Sequence, residues 1–88
     1  MIAATLDSEN YRLLAGPSIS TRGLIYVKEY GELLEDAEHY AQRVLMQTGK
    51  KTLKDELAVK KLLREKMRSF IMERTGRSPV IISIIMYV

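Results

Sequence analysis

Apolar residues fall at every second place from the start of the chain: Ile2, Ala4 and Leu6 alternate with other residues in MIAATLD. Period two over a short run predicts a strand with one face turned to a core. SENY follows as a turn. YRLLA returns as a second strand, and Gly16-Pro17 ends or bulges it, so the opening reads as a β-hairpin. GLIYVKE is a third apolar run, either a separate strand or a continuation beyond the bulge.

The period then changes. Leu33, Leu34, Ala37, Tyr40, Ala41, Val44 and Leu45 recur at spacings of three and four, which predicts one buried face of a helix. Glu32, Glu35 and Asp36 stand in its first turns, where the helix dipole favours negative charge. Gly49 is placed to end it. A second helix is expected from TLKD, with Thr52 as its cap and Asp55 three residues on. Leu53, Leu57, Leu63, Met67, Phe70 and Ile71 form its buried stripe, widened by Val59 and Leu62. Gly76 and Pro79 stop it. The short connection makes the two helices antiparallel neighbours.

The chain closes on VIISIIMYV, which is short and β-branched. Val80, Ile82, Ile84, Met86 and Val88 point one way, and Ile81, Ser83, Ile85 and Tyr87 the other. Both faces are apolar, as in a strand at the centre of a sheet. The expected fold is α+β, a single domain over residues 1–88 in the order β-β-(β)-α-α-β. Two antiparallel helices pack on one face of a three- or four-stranded sheet. With the Val80 set packed on the helices, Ile81, Ile85 and Tyr87 would remain as an uncovered apolar patch, a candidate interface for a second subunit.

Composition narrows the function classes. The 88 residues contain no cysteine, which excludes disulfides and thiolate metal sites and suits the cytoplasm. The longest apolar run, Val80 to Val88, is far below the roughly 20 residues a membrane helix needs. Charge is uneven. Residues 1–49 hold four Lys/Arg against seven Asp/Glu, a net −3, and residues 50–88 hold ten against four, a net +6. Lys60, Arg64 and Arg68, spaced i, i+4, i+8 with Lys61 alongside, make a basic ridge on the second helix. Such a ridge can meet RNA phosphates with weak, sequence-independent affinity. Catalytic equipment is sparse. His39 is the only histidine. It sits mid-helix with no partner ligand at i+3 or i+4, and no phosphate loop or nucleophile triad can be built around it.

GPSISTRGLIYVKE, residues 16–29, sets an arginine between hydroxyls and a glycine where the chain crosses from sheet to helix. Gly16 and Gly23 supply backbone freedom, Pro17 fixes φ, and Arg22 has five donors suited to carbonyls or a carboxylate within the fold. This stretch resembles the Gly-Pro-x-Ile-x-(Ser/Thr)-Arg-Gly-(Phe/Leu)-(Val/Ile)-Tyr-Val signature of the C-terminal domain of ribonuclease J. The tail MRSFIMERTGRSPVIISIIMYV resembles the end of the same family at Ser69, Phe70, Thr75, Arg77, Pro79, Ile81, Ile85 and Met86. It departs in carrying RTGRSP where the family has a more basic run, and Tyr87 where the family has an acid.

The resemblance implies a metallo-β-lactamase-fold bacterial RNase that degrades or trims RNA. Its two-zinc site lies in a catalytic region whose His/Asp motifs do not occur in these residues. It further implies that this stretch is a non-catalytic C-terminal domain needing no cofactor of its own. Its partners would be an identical or paralogous subunit and the catalytic region, with RNA a weak ligand and no membrane involved.

Overall fold

The computed structural model describes residues 1–20, 30–77 and 80–88. The elements are β1 (Ile2–Leu6), β2 (Leu13–Ile19), α1 (Tyr30–Gln47), α2 (Lys50–Leu53), α3 (Glu56–Thr75) and β3 (Ser83–Tyr87). Among the described residues the architecture is α+β: one mixed three-stranded sheet with two long helices and one short one. GLIYVKE lies outside the described residues, as do Arg22, Gly23 and Pro79, so the bracketed third strand, the Arg22 contact and the Pro79 stop are not addressed by these elements.

The hairpin forms as its alternation predicts. Ile2, Ala4 and Leu6 are buried. β2 runs antiparallel to β1, and Gly16-Pro17 bulges the strand without ending it. Ala3 pairs with Ser18 and Thr5 with Ala15, so Gly16 and Pro17 together oppose Ala4. A second shift sets Leu14 outside the ladder between the Thr5–Ala15 and Leu6–Leu13 pairs. The turn is held by Asp7, whose Oδ1 accepts the N–H groups of Glu9 and Asn10 at 2.7 and 3.3 Å.

The terminal strand departs from expectation in two ways. The sheet order is β2-β1-β3, so β1 is central and β3 is an edge. β3 runs parallel to β1, with Ile2 beside Ser83, Ala4 beside Ile85 and Leu6 beside Tyr87. Paired residues share a face. Ser83, Ile85 and Tyr87 therefore follow Ile2, Ala4 and Leu6 toward the helices, and Ile85 is only 4% exposed.

The helices also start differently. α1 buries Ala37, Ala41 and Leu45 along its core-facing stripe. Gly49 does not close α1 but precedes α2, at φ −68°. Thr52 lies inside α2 and caps nothing. The long helix begins after Asp55, whose carboxylate accepts the Ala58 N–H at 3.2 Å. α3 starts three residues later than expected; Leu57 in its first turn is exposed, while Val59, Leu63 and Met67 form the buried stripe. Gly76 ends α3 as expected, at φ +73°. No described helix is long and apolar enough to cross a membrane.

Layer contacts fix the helices on the sheet. Glu38 Oε1 accepts the Ile19 N–H at 2.9 Å, tying α1 to β2. The Ser83 hydroxyl donates to the Lys60 carbonyl at 2.9 Å, and the Tyr87 hydroxyl to the Leu53 carbonyl at 2.6 Å. α1 and α3 are clasped by Tyr40 stacked on Phe70, centroids 5.0 Å apart, and by the Arg74–Asp36 ion pair at 3.3 Å.

Candidate functional site

Two surfaces stand out, one apolar and one basic. The apolar surface follows from the register of β3. Because Ser83, Ile85 and Tyr87 turn inward, the alternate residues turn away from the helices. Val80 is 92% exposed, Ile82 61%, Met86 52% and Val88 67%, while Ile84 between them is half-buried. Leu14, on the bulge of β2, is exposed as well. Among the described residues no strand pairs with the outer edge of β3.

This inverts the interface expected from the sequence. Ile85 is part of the hydrophobic core, and Ile81 and Tyr87 pack against it. Ile85 is therefore closed to a partner, and Ile81 and Tyr87 are half-buried. The physical reason is the neighbouring strand. Ala4 is small, and the parallel register sets Ile85 beside it, where the larger side chain fills space that Ala4 leaves over the helices. Ser83, the one polar residue of the inward set, is accommodated by its bond to the Lys60 carbonyl. The signal that could have settled the choice was the inward set of β1, once β3 was aligned with it in parallel.

Tyr87 is drawn further into the fold by its contacts. Its ring meets Tyr11 edge-on at 6.2 Å, and its hydroxyl is bonded to Leu53. Burial raises its pKa above the ordinary 10.0, and the negative charge of Glu56 adds to the shift.

The basic residues expected to contact RNA divide. Lys60 is half-buried and paired with Glu56 at 3.2 Å. Lys61, Arg64 and Arg68 are exposed on the outside of α3. The structure adds cations that were not singled out. A cleft of about 300 Å³ between α1 and α3 is lined by Arg43 and Lys66 beside Tyr40, Val44 and Leu62. A second hollow of about 430 Å³, on the other side of α1, is lined by Arg12 and Lys50. Thr48 lines both. His39 is exposed, and among the described residues no three His, Asp or Glu side chains converge as a metal would require.

Comparison with known proteins agrees with the resemblance. The model of the ribonuclease J C-terminal domain matches residues 1–88. Ribonuclease J2 of Bacillus subtilis is 32% identical over 88 residues, all of this chain and 16% of that protein. Ribonuclease J 2 of Staphylococcus epidermidis is 35% identical over 81 residues, 92% of this chain and 14% of the relative. Ribonuclease J 2 of Staphylococcus aureus is 37% identical over 82 residues, again 92% and 14%. The chain thus spans about one-seventh of the length of these relatives.

Proposed function

The chain belongs to the family of ribonuclease J C-terminal domains, and from that premise we propose that it is a non-catalytic assembly domain of a ribonuclease J-type RNA-degrading and RNA-processing nuclease. Its task is to join subunits, with the cutting of RNA left to the rest of the protein. The observation that carries this reading is the exposure of Met86 on the edge strand β3, with Val80, Ile82 and Val88 exposed just before and after it. Exposed apolar side chains at and beside a sheet edge favour association, and natural sheets cover or blunt such edges. The simplest cover is a second copy related by a two-fold axis, which presents the same row to itself. A specific interface of this kind buries on the order of 1,200–2,000 Å² in total.

The test is sedimentation equilibrium of the 88-residue chain across the micromolar range. A concentration-dependent dimer is expected. A monomer at high micromolar concentration would reject self-association through this row and transfer the apolar surface to the catalytic region or to a paralogous subunit.

A second reading, an auxiliary RNA-binding module using α3, is favoured by the exposure of Lys61, Arg64 and Arg68 on one helix. Contacts of that kind go to phosphates and carry no sequence information. Dissociation constants in the range of about 10⁻⁴–10⁻⁶ M at physiological salt are expected of it. A tight and sequence-selective complex with this domain alone would reverse the order of the two readings.

A further inference from the structure

The two hollows beside α1 share a property that the α3 ridge lacks. They are concave, they adjoin, and the ionisable lining residues with formal charge are all cations. On one side of α1 the cleft holds Arg43 and Lys66. On the other side the hollow holds Arg12 and Lys50. They meet at Thr48, just past the end of α1. Among the described residues no Asp or Glu lines either one. Of the acidic groups in the turn and along α1, Asp7 accepts two turn N–H groups, Asp36 pairs with Arg74, and Glu38 accepts the Ile19 N–H. The four cations come from β2's approach, α1, α2 and α3, so only the folded chain assembles them.

We propose that these hollows form one track for the phosphate backbone of a single-stranded nucleic acid, entering between Arg43 and Lys66 and passing Thr48 to Lys50 and Arg12. Charge complementarity selects the occupant. A groove lined by cations of one sign attracts and concentrates a polyanion, and a low-dielectric wall strengthens the field. Apolar wall in both hollows, Val44 and Leu62 on one side and Met46 on the other, gives the bases something to lie against. Each hollow is at or just above the lower end of the size range of small-ligand sites, which suits a single strand and not a duplex. Nothing in this site depends on the assembly reading, because it uses the helix end and not the outward row of β3.

The experiment uses the 88-residue chain, a fluorescein-labelled single-stranded oligouridylate and a salt series. Four phosphate contacts predict a log–log salt slope of about −2.8, at about −0.7 for each single-strand contact. Arg43→Gln with Lys66→Gln should flatten the slope by about 1.4, the share of two contacts. Both residues are exposed, and unchanged circular dichroism will show that the double variant folds. Lys61→Gln with Arg64→Gln, in the rival α3 ridge, should flatten the slope by less than the Arg43/Lys66 pair does. The proposal is overturned if the Lys61/Arg64 pair carries the salt dependence in place of the Arg43/Lys66 pair. It is equally overturned if inorganic phosphate at equal phosphate concentration shifts the amide resonances around Arg43 and Lys66 as far as the oligomer does. That result would make the hollow a site for isolated anions.

Discussion

Gly16 adopts φ +79° inside a strand, opposite Ala4 on the central strand. A Cβ there would stand 2.7 Å from the Ala3 carbonyl oxygen and 3.0 Å from the Ser18 nitrogen, both backbone atoms that cannot swing aside. Gly16→Ala should therefore cost more than about 1 kcal/mol and lower the melting temperature by several degrees in a thermal scan. Tyr87 offers a second check at this scale. Its pKa is raised, so the fold favours the neutral phenol. The stabilisation is fully present below the ordinary 10.0 and is lost as pH rises through the higher folded value. Stability should accordingly fall above about pH 10, and Tyr87→Phe should remove that part of the alkaline loss. At neutral pH the same substitution leaves the Leu53 carbonyl without its 2.6 Å partner and should cost about 1 kcal/mol. A pH profile of denaturant midpoints for both proteins measures the two effects together.

At the scale of elements, periodicity located what it is able to locate. The hairpin and α1 were legible because each buries one face, and a one-sided pattern names both the element and its inward residues. The start of α3 was not. Thr52 and Asp55 both suit a helix cap, and local sequence does not say that four residues from Lys50 to Leu53 form a separate turn first. Asp55→Ala should remove the bond to the Ala58 N–H and destabilise the protein by about 1 kcal/mol, whereas Thr52→Ala should have a much smaller effect. Chemical denaturation of the two variants side by side decides between the caps. β3 was legible as a strand but not as to its faces, because Ile, Val and Met occupy both. Its inward set is chosen by non-local pairing with β1, and Ala4 beside Ile85 is a contact spanning nearly the whole chain. The basic hollows were illegible for a related reason. Arg12, Arg43, Lys50 and Lys66 share no helix, so no spacing rule unites them before the chain folds.

For the whole molecule, the decisive contrast is between the two faces of that last strand. Among the described residues two long helices pack on one side of a three-stranded sheet, and Ile85 closes the core on that side. The other side carries Ile82 and Met86 into solvent. An assembly domain and a merely greasy monomer differ in what happens when each side is charged. Ile85→Glu buries a carboxylate among Leu, Val and Met with no partner. Losses above about 4 kcal/mol follow from such burial, against a total stability of about 5–15 kcal/mol for a domain. That variant should lose its cooperative melt. Ile82→Glu places the same carboxylate in water and should change stability by no more than about 0.5 kcal/mol. If the outward row is the contact between subunits, the second variant keeps its circular dichroism and its melt yet sediments as a monomer. Two like charges facing each other across a two-fold axis, desolvated in an apolar patch, oppose association strongly. Should Ile82→Glu sediment as a dimer like the parent chain, the row is not the interface. A folded Ile85→Glu protein would overturn the register that places Ile85 beside Ala4.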